Sequence, residues 1–131
     1  MSKENVEIAR AATDAFNRRD LEASLKDLAP DFEYDLSRAV GPWHGVYALD
    51  EMPGLFKDLS ETWESNRYEV DEFIEAGELV VGPFTNYLRG RDGIEVEARA
   101  AFVWTIRNGM IARITFYQEP HDALEAAGLS E

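Results

Sequence analysis

The sequence contains no cysteine. Disulfides, thiolate nucleophiles, iron–sulfur clusters and zinc–thiolate centres are therefore excluded. Stability has to come from a packed core, which suits a reducing compartment. Histidine is scarce too: His44 and His121 are far apart in the chain. With no HxH or HExxH spacing, no metal site is expected. GxGxxG, P-loop and GxSxG signatures are also missing, so neither a nucleotide cofactor nor a serine hydrolase is indicated, and no cofactor is expected. Positive charge is short: 13 Lys and Arg stand against 26 Asp and Glu, a formal net charge of −13. Such a surface repels phosphate backbones and anionic lipids, so neither nucleic acid nor membrane is an expected partner. No apolar run approaches the length that spans a bilayer. The first seven residues, Met1 to Glu7, lack the basic start and apolar stretch of a signal peptide, so a cytoplasmic location is expected.

What remains is an ordinary globular balance. The 131 residues are 45% hydrophobic, 11% aromatic and 30% charged. That is enough for one domain, residues 1–131, with a real core.

Hydrophobic periodicity orders the chain. Val6, Ala9, Ala12 and Phe16 form one stripe and predict a helix over 4–18. Asp20 is placed to cap a second, short helix in which Leu21, Leu25 and Leu28 share a face, with Pro30 as its end. Residues 31–37 alternate, Phe32, Tyr34 and Leu36 opposite Glu33 and Asp35, which predicts a half-buried strand. A Gly-Pro-Trp-His-Gly loop follows at 41–45. A third helix is expected over 49–63, with Met52, Leu55, Phe56, Leu59 and Trp63 inward and Pro53 in its first turn. The period then changes to two. Strands are expected over 67–76, 79–89 with a bulge at Gly82-Pro83, 94–106 and 110–119. Asn108-Gly109 is the strongest hairpin signal. A short helix over 123–127 closes the chain at Gly128. Helices first and a four-strand antiparallel meander afterwards read as α+β. A curved sheet around the third helix would enclose a pocket, the default place for a ligand.

Several stretches carry a resemblance. Residues 4–8 with 15–22 (Glu-Asn-Val-Glu-Ile, then Ala-Phe-Asn-Arg-Arg-Asp-Leu-Glu) resemble the opening of SnoaL-like proteins, in the nuclear transport factor 2-like superfamily. So do residues 30–35, residues 103–113 (Val-Trp-Thr-Ile-Arg-Asn-Gly-Met-Ile-Ala-Arg) and the tail over 123–129. The resemblance implies a cystatin-like α+β barrel: a cone-shaped, curved antiparallel or mixed sheet wrapped around N-terminal helices. It implies a pocket inside the cone and a homodimer paired through the outer sheet face. Polyketide cyclases, ketosteroid isomerases, epoxide hydrolases, dehydratases and pure binding modules share this fold, so the site has to decide the function. The implied function is binding of a small, mostly apolar organic molecule, with cofactor-free acid–base chemistry of isomerase, cyclase or hydrolase type. The alternative is a non-catalytic binding or dimerisation module.

Register then selects candidates. In a ketosteroid isomerase-like alignment the base position falls on Leu36, one past Asp35, and the oxyanion acid falls near Ala101, which cannot donate. On the fourth predicted strand Glu95, Glu97, Arg99, Ala101 and Val103 share one face. If Ala101 lines the cavity, Glu97 and Arg99 enter it as a paired base and oxyanion-binding cation, with Asp35 as a further carboxylate. The other reading of this pair is an exposed cross-strand ion pair. Tyr34, Trp43, Trp63, Tyr87 and Tyr117 are amphipathic aromatics suited either to a ligand or to the core. Trp43 is expected at the cavity mouth, with His44 beside it either as a general base or as a solvated loop residue.

Overall fold

The computed structural model describes residues 2–129. Helix α1 (Ser2–Asn17) buries Ala9 and Ala15 fully and lays Val6, Ala12 and Phe16 along the same stripe. The chain reverses at Arg19, which takes a left-handed φ of 61°. Asp20 then caps α2 (Leu21–Leu25), accepting from the Ala23 amide at 3.1 Å. This helix stops at Leu25, earlier than its leucine spacing implies, and Leu28 already opens β1 (Leu28–Asp35). Pro30 therefore lies inside a strand. It is tolerated because the pairing of β1 with β7 (Met110–Tyr117) shifts register between Leu28 and Glu33, where no regular ladder donor is required.

After the Gly/Pro loop comes β2 (Val46–Ala48), a three-residue edge strand too short to show a period. A 3-10 turn over Leu49–Glu51 leads into α3 (Met52–Thr62), with Pro53 in the first turn as expected. Trp63 does not close this helix. It opens β3 (Trp63–Val70) and pairs with Gly90. The single strand expected over 67–76 is in fact two, β3 and β4 (Ile74–Ala76), which line successive halves of β5 (Leu79–Gly90). The expected bulge at Gly82-Pro83 is absent from the β5–β6 ladder, which runs unbroken from Leu79–Thr105 to Arg89–Glu95. The break falls on the other side of β5, where the Asp71 amide reaches the Pro83 carbonyl at 2.9 Å. Strand β6 (Glu95–Arg107) turns into β7 through Asn108 and Gly109, both at positive φ. Helix α4 (Pro120–Ala126) ends the described chain.

The sheet order is β2-β1-β7-β6-β5-β3, with β4 also on β5; β1 and β7 are parallel and the other pairs antiparallel. The fold is thus an α+β cone with a mixed curved sheet. Its inner face carries Phe32, Tyr34, Val80, Phe84, Phe102, Trp104 and Ile106, packed on Ala9 of α1 and on Met52 and Leu55 of α3. Rings stack through this layer, Phe84 and Phe102 at 4.6 Å and Tyr68 and Phe84 at 5.0 Å between centroids. The outer face has its own small core, in which Val81, Ala101 and Val103 lie under Ala123 of α4. This assignment decides the site, because it puts Ala101, and every β6 residue in phase with it, outside the cone.

Candidate functional site

The hollow lies between the end of α1, α2 and α3. Its outer part is a cleft of about 360 Å³, lined by Phe16, Pro53, Phe56 and Leu59 and carrying Arg19, Asp20, Lys57 and Asn66. Phe16, Ser24, Phe56 and Leu59 also line an inner chamber of about 70 Å³, so the two spaces are neighbours separated by these side chains. The inner lining is aliphatic and aromatic: Ala12, Leu25, Leu28, Met52, Phe102 and Ile114 among others, with Thr13, Ser24, Tyr34 and Tyr68 as its polar side chains. It contains no carboxylate, imidazole or cation. Together the two spaces fall in the size range of ordinary small-molecule pockets.

Tyr34 of β1 and Tyr68 of β3 meet in this chamber from opposite sides of the sheet order. Burial pushes the Tyr34 phenol well above its ordinary range, helped by neighbouring Tyr68 and Tyr47. Burial also lifts Tyr68 to about 12, partly offset by its hydrogen bond with Tyr34. Both phenols therefore keep their protons at physiological pH. Tyr68 is held in register by Asn17 at the end of α1. The Asn17 side chain donates to the Tyr68 carbonyl at 2.8 Å and accepts from its amide at 2.9 Å.

Of the expected ligand-facing aromatics, only Tyr34 lines the cavity. Trp43 is half-buried against the core, its carbonyl accepting from the Tyr47 hydroxyl at 2.8 Å, and it lines neither space. His44 is exposed and Trp63 half-buried at the start of β3, both away from the hollow. Tyr87 and Tyr117 are on the outer face, each under a guanidinium, Arg67 at 4.5 Å and Arg38 at 4.7 Å.

The charged candidates face outward as well. Glu97 and Arg99 are exposed on the outer face, and Arg99 is ion-paired with Asp71. The cause is the parity of β6: Phe102 and Trp104 claim the interior, so the odd-numbered side chains point away from it. Asp35 is 5% exposed, yet it too belongs to the outer face, opposite Thr115. Burial alone would raise its carboxyl. Hydrogen bonds from the Ser37 hydroxyl and amide and from Arg113 outweigh this and hold it below the usual carboxylate range. It is an anchoring group for the loop after β1. The sequence reading missed Tyr68, although its phase with Asn66 and Val70 on the inward side of β3 was a usable signal.

Comparison with known proteins agrees with this geometry at the level of fold. The profile of the SnoaL-like domain matches residues 9–114. An NTF2-like protein of unknown function from Burkholderia pseudomallei superposes with a TM-score of 0.77 at 26% identity, over 93% of this chain and 95% of that one. A protein described as a candidate polyketide cyclase, from Xanthomonas campestris pv. campestris, gives 0.73 at 18% identity over 96% and 98%. A cystatin-like-fold protein of unknown function from Xanthomonas campestris gives 0.77 at 13% identity over 97% and 98%. No curated protein matches the chain.

Proposed function

Because the chain belongs to the SnoaL-like domain family, we propose that it binds a small, mostly apolar organic molecule whose uncharged body enters the inner chamber. One observation carries this reading: an apolar chamber with two neutral phenols and, among the described residues, no ionised side chain, next to a larger cleft. A charged group in that chamber would lose its hydration without a partner, whereas a carbonyl or ether oxygen could accept a hydrogen bond from a phenol there. Leu59 lines both spaces, so a larger side chain there would fill them. In a thermal-shift screen of uncharged aromatic ketones and alcohols, wild type should be stabilised. Leu59→Trp should fold but lose that stabilisation; a folded Leu59→Trp that responds as wild type does would remove the reading.

Acid–base turnover is a second reading, favoured by the Tyr68 hydroxyl, which in a water-poor site would stabilise a developing oxyanion. Among the described residues no base lines the inner chamber, so Asp20 of the cleft, the substrate or solvent would have to supply it. Turnover that persists in Tyr68→Phe would exclude this role. The homodimer implied by the family belongs to the same proposal. Helix α4 covers only the Val81–Ala101–Val103 end of the outer face, leaving the end formed by β3, β5 and β6 open to a second copy.

A further inference from the structure

We propose that the outer cleft recognises the carboxylate end of an amphipathic ligand, with Lys57 supplying the charge and Asn66 and Arg19 further donors. The inference rests on the small-molecule reading of the cavity and names the class of molecule it takes. Acidic residues outnumber basic ones two to one in the chain, 26 against 13. The cleft inverts this balance: its ionisable side chains are Arg19, Lys57 and Asp20. The acid is already occupied, since Asp20 accepts from the Ala23 amide at 3.1 Å and stands 3.8 Å from Arg18. Lys57 has no ion pair among the described residues.

The neutral groups point the same way. Asn86 donates to the Asn66 side-chain oxygen at 2.8 Å, which leaves the Asn66 amide nitrogen as a donor to the cleft. Arg19 is held at the rim by one bond to the Glu64 carbonyl at 2.7 Å and keeps its remaining N–H groups. The Ser24 and Ser60 hydroxyls donate to the Leu21 and Lys57 carbonyls at 2.8 and 2.9 Å and so offer the cleft only acceptor oxygens; the donors left are Lys57, Arg19 and the Asn66 amide, and the net charge of the rim is about +1, which matches a monocarboxylate. Aromatic and aliphatic walls beside them lower the local dielectric and strengthen such a contact. A ligand filling both spaces would place its uncharged body against Tyr34 and Tyr68 and its carboxylate at Lys57.

The test uses the full chain and a matched series of straight-chain and aromatic carboxylic acids with their methyl esters, titrated calorimetrically at neutral pH. Wild type should bind the acids roughly tenfold more tightly than the esters. Lys57→Gln should erase that preference by weakening the acids alone, and Lys57→Arg should retain it. Equal affinity for acid and ester in wild type, or a preference that survives in Lys57→Gln, overturns the head-group assignment and leaves the cavity reading standing. If folded wild type binds neither series, both fall.

Discussion

At Asp35 the same side chain carries two histories. Its alternation with Tyr34 was legible in the sequence, and so was its place beside the position a base would occupy. Its partners were not, because Arg113 lies 78 residues away and reaches it only once β1 and β7 pair in parallel. The contacts make it structural and give it a pH signature. Its folded pKa lies below the ordinary value, so its stabilisation is present above the unfolded carboxylate range and disappears as pH falls through the folded value. Asp35→Asn should therefore cost about 1–3 kcal/mol in denaturant unfolding at pH 7, and the gap to wild type should close toward pH 3. A gap independent of pH would mean that the lost hydrogen-bond geometry, not the charge, sets the cost. Glu97 and Arg99 make the contrasting case. The alternation of β6 shows two faces in the sequence, but composition alone does not tell which of them meets the helices. Arg99→Ala and Glu97→Gln should each change stability by less than about 0.5–1 kcal/mol, with ligand binding unaltered by calorimetry.

Elements with a long period were legible; those set by a tertiary partner were not. Helix α1, the α3 body and the hairpin at Asn108-Gly109 appear where their patterns place them. Strand β2 has three residues and no period, and β3 starts at Trp63 because Gly90 is there to pair with it. The Gly82-Pro83 pair illustrates a correct signal with the wrong cause. Pro83 does mark a break, on the β3–β4 side, while Gly82 is required by packing: a Cβ there would stand 2.6 Å from the Trp104 ring. Gly82→Ala should lower stability by about 1–3 kcal/mol, read by thermal or chemical denaturation. Trp104→Phe in the same background should recover part of the loss if that contact is its source. The tie between α1 and β3 is testable separately. Asn17→Ala leaves the Tyr68 amide and carbonyl without their side-chain partner, at a cost of about 1–3 kcal/mol. Because Tyr68 faces the chamber, ligand affinity should fall with it. Unchanged affinity in a destabilised variant would show that β3 holds Tyr68 in place unaided.

For the molecule as a whole, charge would govern any pairing of the cone with a second copy of itself. Each chain carries a formal −13, and the open end of the outer face presents Glu69, Glu95 and Glu97 among Arg67, Arg89 and Arg99. Pairs within one chain, Arg67–Glu69 at 3.2 Å and Arg89–Glu95 at 3.1 Å, already satisfy several of these groups. They contribute little to folding at such exposure, and a partner would have to desolvate or re-pair them. Two strongly acidic chains also repel over a distance set by salt, about 30 Å at 0.01 M and 8 Å at 0.15 M. A homodimer through this face must therefore tighten as salt rises from low to physiological ionic strength. This is the reverse of an interface assembled from opposite charges, whose association salt weakens. Sedimentation equilibrium at micromolar concentration should show the mass moving from monomer toward dimer over that salt range. Tyr87→Glu, which adds another negative charge to the centre of the face, should move it back. A monomer at every salt concentration would remove the outer face as an interface, and a dimer indifferent to both salt and Tyr87→Glu would place the contact elsewhere on the cone.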